Sequence, residues 1–175
     1  MAWIQTYSGK QFNPEYPTLE SITIRDIAWS LSQQCRYTGH TTRFYSVAEH
    51  SVYVSHYVPL EYAITALMHD SSEAYLADIA RPVKSLLPEY EKLERVIMGA
   101  VAAKFNLVYP FPTCVKDIDD QILMNERRDV MTDYGYDWGI DLEPIGGLII
   151  LGLSPLLAYS IFMDRYEELT HTKQG

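Results

Sequence analysis

The chain has 175 residues, 47% of them hydrophobic and 21% charged, which suits one domain with a proper core and is short for two. Its formal charge of −9 argues against a general binder of nucleic acid or anionic membrane, because both gather phosphate with a positive field. Cys35 and Cys114 stand far apart without a CxxC partner, so neither a disulfide framework nor a cysteine-zinc site is suggested. The longest apolar run, 145–153, is about half of the roughly 20 residues that a membrane span requires. With no charged-then-apolar leader at its start, the sequence reads as soluble and cytoplasmic. Its 14 tyrosines exceed the needs of a minimal core and are expected in part at a cleft or subunit contact.

Residues 1–22 hold prolines and a glycine without helical period and are expected to form an irregular arm or short hairpin laid on the domain. Thr23 with Asp26 makes a capping-box pattern, followed by Ile24, Ile27 and Leu31 on one stripe, which predicts a helix to about Cys35. Ser46 with Glu49 makes a second, placing His50 in the first turn of a helix that Pro59 ends. A third helix is predicted over roughly 60–76, giving out before Pro82. A fourth runs from Pro88 to Phe105 with Leu93, Ile97, Val101 and Phe105 on one face. The fifth starts near Thr113, buries Val115, Ile118 and Ile122, carries Asp119 beside that stripe and stops at Gly135. A glycine-rich stretch follows, with a short strand expected at Leu148–Leu151. The last helix starts with Ser154 as cap and Pro155 as first residue. The fold expected is all-α: one domain over 1–175, about six helices, with the 1–22 arm packed on it.

The chemistry gathers around "ALMHDSSEAYLAD", residues 66–78. On a continuous helix His69 and Glu73 share a face, with Ala66, Leu67 and Leu76 behind them. Charge in such a setting needs partners. His50 at a helix mouth and Asp119 on a later helix complete an H…HD…D pattern. Two imidazoles and two carboxylates suit a borderline divalent ion, Mn²⁺, Co²⁺, Fe²⁺, Ni²⁺ or Zn²⁺, whereas Mg²⁺ prefers more oxygen. Asp78 is out of phase with His69 and joins the group only if the helix ends before it. Arg36, Lys84 and Lys116 are the candidate anion contacts beside such a site, with Arg43 as an alternative to Arg36. Tyr37, next to Arg36, is a candidate to stack on a ligand, with core packing as its other role. His40, His56 and His171 fall outside the ligand pattern. "NERRDVM" at 125–131 reads as a charged surface face, although Glu126, two turns from Asp119, is placed to orient the groups behind a site. Ser46, Ser71 and Ser72 lack a GxSxG elbow, so a serine hydrolase is discounted.

From Arg36 to Asp119 the sequence resembles the HD-domain phosphohydrolases. "SVAEHS", "HDSSEAYLAD", "RPVK" and "VKDIDDQIL" stand in the order of the bacterial 5′-deoxynucleotidase branch, and the chain is also similar to phage enzymes that hydrolyse dATP to deoxyadenosine and triphosphate. The resemblance implies a helical HD domain with metal ligands His50, His69, Asp70 and Asp119, proton-handling acids Glu73 and Asp78, and a phosphate contact at Arg36; with a phosphate ester as ligand, Lys84 and Lys116 become further phosphate contacts and Tyr37 a contact to base or sugar. It implies attack on the α-phosphorus of a purine deoxynucleotide, releasing nucleoside with triphosphate or phosphate. One divalent transition metal is expected, with Mg²⁺ accompanying the phosphates, and a homo-oligomer. Gly39, where relatives carry a bulkier residue nearby, leaves base selectivity open. The rival expectations are a phosphodiesterase or guanosine-tetraphosphate hydrolase on the same metal set, and a non-catalytic nucleotide-binding module.

Overall fold

The structure, a computed structural model, describes residues 2–171. In chain order it contains the strands β1 (Ile4–Gln5) and β2 (Gln11–Phe12), then α1 (Ile24–Gln33), α2 (Val47–Tyr57), α3 (Ala63–Leu67), α4 (Glu73–Leu76), α5 (Arg81–Lys84), α6 (Pro88–Phe105), α7 (Thr113–Val130) and α8 (Pro155–His171). The fold is all-α in substance, the two strands forming only a small antiparallel hairpin in the arm. Phe12 from that hairpin is fully buried and stacks on Tyr75 with ring centroids 3.8 Å apart, so the arm is anchored to the bundle.

Helix starts follow the chemistry of unpaired amides. Thr23 Oγ1 accepts the Asp26 amide at 3.1 Å, Ser46 Oγ accepts the Glu49 amide at 3.1 Å, and α6 and α8 open on prolines, which have no amide to satisfy. The acids of the two capping patterns serve distant partners. Asp26 accepts the Ser8 amide at 2.6 Å and the Ser8 hydroxyl at 2.7 Å, tying down the arm. Glu49, fully buried, accepts the amides of Gly152 at 3.0 Å and Leu153 at 2.7 Å and the Tyr53 hydroxyl at 2.9 Å.

Three predicted elements differ. The helix expected over 60–76 stops at Leu67 and resumes at Glu73. His69 Nδ1 lies 2.7 Å from the Ala66 carbonyl, and the amides of Ser71 and Glu73 bond three residues back instead of four, a tighter turn that re-aims the polar run. The helix expected to reach Gly135 ends at Val130, where Met131 turns extended. The strand expected at Leu148–Leu151 has no partner strand among the described residues. Side chains serve its backbone instead: Asn125 donates to the carbonyls of Ile145 and Leu148, Asp129 accepts the Ile150 amide, and Arg43 donates to the Ile150 carbonyl. Those groups are thereby satisfied without a sheet.

The core centres on α2, which packs against α1, α3, α7 and α8. Ile27, Leu31, Val47, Val54, Leu67, Ile97, Val101, Ile122 and Phe162 meet there. Because α2 is surrounded, polar residues in its first turns, His50 among them, are carried into the interior. Among the described residues no helix is long and apolar enough to cross a membrane.

Candidate metal centre and cavity

His50, in the first turn of α2, is fully buried, and His69, in the turn after α3, is 9% exposed. Their ring centroids lie 5.3 Å apart. Each ring is oriented through Nδ1: His50 Nδ1 sits 2.7 Å from Glu126 Oε1, and His69 Nδ1 sits 2.7 Å from the Ala66 carbonyl. Both Nε2 atoms are buried without a hydrogen-bond partner. His50 Nε2 faces Asp119 Oδ1 at 3.1 Å and Asp70 Oδ2 at 3.8 Å, and His69 Nε2 faces Asp70 Oδ2 at 3.3 Å. One ligand atom from each of His50, His69 and Asp119 falls within a 4.8 Å group that can hold a metal ion. The donor set of imidazole nitrogens aimed inward beside carboxylate oxygens fits such an ion. Asp70, though outside that tightest trio, points an oxygen at both rings and lines the same cavity.

Burial and the Arg36 charge press the His50 pKa down, but Glu126 and Asp119 outweigh them and raise it to about 9. A ring raised in this way favours its cationic form, with a proton on each nitrogen, and an ion taking Nε2 would displace the Nε2 proton. Asp119 is held well below the usual carboxylate range, burial being outweighed by the His50 contact and the nearby cations.

A cavity of about 1020 Å³ opens in front of this group, and Asp70, Glu73, Asp78 and Asp119 all line it. Glu73 is raised well above its ordinary range by burial first and then by the charges of Asp70 and Asp78. Burial and Asp70 also raise Asp78 against the pull of Arg36. Asp78 reaches the cavity because α4 ends at Leu76 and Ala77, at φ +72°, turns the chain. The Asp78 amide is then caught by Gln34 Oε1 at 2.9 Å, while Gln34 Nε2 donates to the Glu73 carbonyl at 3.0 Å.

Arg36 is buried and lines the cavity, its guanidinium 3.2 Å from Glu126 and 3.7 Å from Asp70. Lys84 also lines it, with Nζ 2.6 Å from Glu94 and 3.9 Å from Glu73. Lys116 stands at its exposed rim, paired with Asp120. Tyr37 lies against the Arg36 guanidinium at 5.5 Å and near Trp138, its hydroxyl donating to Glu126. Gly39, at φ +78°, is exposed and does not line the cavity, so its lack of a side chain serves the turn after Arg36. Arg43 is spent on the carbonyls of Asp129 and Ile150, which removes it as an alternative to Arg36. His40, His56 and His171 are exposed, away from the cluster.

Several residues were missed or undervalued from sequence. Glu126 is fully buried and not part of a solvated face: it accepts from Arg36, Tyr37 and Tyr45 and holds His50. Its spacing of seven from Asp119, on the same helical face, was the available signal. Arg81 binds Asp119 Oδ2 at 2.9 Å and Asp120 Oδ1 at 2.7 Å; its place in "RPVK" next to the turn was the only hint. Trp138 and Ile140 close the cavity from the irregular segment after α7, and no local pattern marks them.

No family model matches the chain. It is similar to the uncharacterized protein YfdR of Escherichia coli (strain K12), 42% identical over 177 residues that take in 99% of each chain. It is also similar to the uncharacterized protein RCAP_rcc00048 of Rhodobacter capsulatus, 34% identical over 125 residues, 66% of this chain and 64% of that one. With that identity sustained from end to end, the chain belongs to the family of Escherichia coli YfdR.

Proposed function

We propose that the protein is a metal-dependent phosphohydrolase of the HD-domain type that cleaves purine deoxynucleotides at the α-phosphorus, releasing nucleoside together with triphosphate or phosphate. One observation carries the reading. In a chain of net charge −9, five cationic side chains, Arg36, Arg81, Lys84, Arg95 and Lys116, line the same cavity as Glu73, Asp78 and the His/Asp group. A site that gathers cations in front of inward-aimed imidazoles and raised carboxyls suits a phosphate ester.

His50, His69, Asp70 and Asp119 would hold one divalent transition ion, Co²⁺, Mn²⁺, Zn²⁺, Fe²⁺ or Ni²⁺, which supplies a water of lowered pKa and polarises a phosphoryl oxygen. Arg36 and Lys84 bind and orient the phosphates. Hydrolysis forms a bond from the water oxygen to the α-phosphorus and breaks the bond to the 5′ oxygen. Glu73 and Asp78 line the same cavity and are both raised towards the protonated form, so that one can take a proton from water while the other gives one to the departing oxygen. Tyr37 and Trp138 offer aromatic faces to the nucleoside.

The test is a metal-reconstituted panel of dAMP, dGMP, dATP, dGTP and ribonucleotides, with products separated chromatographically and Asp70→Ala alongside. Triphosphate from dATP, or phosphate from dAMP, lost in the variant, is the expected result. Silence across the panel with every metal, or equal activity in Asp70→Ala, would refute the proposal.

A further inference from the structure

We propose that Arg81 is a positioning residue that fixes Asp119 as a one-oxygen metal ligand, an inference that rests on the metal reading above. The two oxygens of Asp119 have separate assignments. Oδ1 lies 3.1 Å from His50 Nε2, inside the group that can hold the ion. Oδ2 is turned outward and bonded to Arg81 at 2.9 Å. The other arm of the same guanidinium holds Asp120 Oδ1 at 2.7 Å, so the fork spans two successive residues of α7 and swinging it away would break both contacts. Asp120 is itself held from the other side by Lys116. Asp119 is thus locked in one rotamer with one oxygen committed to the protein and one free for the ion. Ligands oriented in this way bind metal more tightly than free-swinging ones.

The opposing effect is repulsion, since Arg81 is a cation next to a cation site. Its charge is already matched by two carboxylates, and its side chain is 56% exposed, so water and salt screen the remainder. Orientation is therefore the larger effect. The fork is also what separates Arg81 from Lys84, which holds Glu94 as a point charge.

The experiment uses Co²⁺ alone on the full chain, read by its visible absorption and competed against a chelator, for wild type, Arg81→Ala, Arg81→Lys and Asp120→Asn. Metal-free melting is recorded for each. The expected result is a Co²⁺ affinity about 10- to 100-fold weaker in Arg81→Ala, with an altered cobalt band and an unchanged metal-free melt. Arg81→Lys, which keeps the charge and loses the fork, should fall between wild type and Arg81→Ala, and Asp120→Asn should weaken binding by a smaller factor. Should Arg81→Ala melt early, the Arg81→Lys and Asp120→Asn affinities decide the matter. Affinity unchanged or tightened across the series, with the wild-type cobalt band, overturns the positioning role and leaves the metal reading standing. Wild type that takes up no cobalt overturns both.

Discussion

Replacing Glu126 by glutamine keeps the shape of the side chain and removes its charge from the centre of a buried network. The native carboxylate is fully buried and held down to a pKa of about 2, because burial, which would raise it, is outweighed by Arg36 and His50. In Glu126→Gln the remaining carbonyl oxygen would still serve Tyr45 and His50, whose contacts are at 2.8 and 2.7 Å. The new amide group would face the Arg36 guanidinium, now 3.2 Å from the carboxylate, donor against donor. Of its carboxylate partners Arg36 would keep only Asp70, at 3.7 Å. Removing one partner of a buried ion pair costs roughly 3–5 kcal/mol, and the acceptor retained by glutamine places this change at about 3 kcal/mol. For a chain of this size that corresponds to a melting temperature lower by about 6–12 °C. The assay is thermal and urea denaturation of the metal-free protein, with Arg36→Met and the double variant completing a cycle. The two changes should be strongly non-additive, since each removes the partner of the other. A loss under about 2 °C, or simple additivity, would refute the claim that this network holds the site in place.

Other outcomes follow from single contacts. Gly152 sits at φ +71°, and a Cβ there would lie 2.8 Å from the Phe44 carbonyl and from Arg43 Cδ; Gly152→Ala should destabilise by roughly 2 kcal/mol or more, and a melt within about 1 °C of wild type would contradict that packing. Asp26 titrates below its ordinary value of 3.8, since burial is outweighed by bonds from Thr23 and Ser8. Its folded pKa being depressed, the stabilisation it gives the arm is present above 3.8 and lost as pH falls below it. The Ser8 amide proton, followed by NMR, should therefore shift towards its random-coil position in that acid window, and in Asp26→Asn it should be shifted already at neutral pH; a pH-independent signal in the wild type would refute the link.

Local signals in the sequence were sufficient where a decision involved neighbours. Thr23, Ser46 and Pro155 mark helix starts in both sequence and structure, because an unpaired amide and its cap are within three residues of one another. The inward rings of His50 and His69 with Asp119 were likewise readable as a metal-type pattern, and they do converge. What local pattern could not show is where a side chain goes when its best partner is far away. Asp26 and Glu49 fit the capping motif but are used on Ser8 and on Gly152 with Leu153. Glu126 looked like part of a charged face because Arg127 and Arg128 follow it, yet it points to the interior while Arg128 is exposed. The break at Met68–Ser72 has a related reason: apolar periodicity fits a continuous helix through 60–76, whereas in the structure the His69 ring competes for the Ala66 carbonyl where the chain passes into tighter turns.

The segment 145–153 is fastened through its backbone, by side chains that belong to α2, α7 and Arg43. The information that places it is therefore written elsewhere in the chain. Its outward residues Ile149 and Leu151, 63% and 58% exposed, are free to change identity, whereas Ile145, Leu148, Ile150, Gly152 and Leu153 answer to what lies beneath. The demanding positions are Glu49, Asn125 and Asp129, on the two helices that also carry His50 and Asp119. A substitution at Glu49, Asn125 or Asp129 that loosens this strap would thus act first on the two helices that place His50 and Asp119, not on the strap's own sequence.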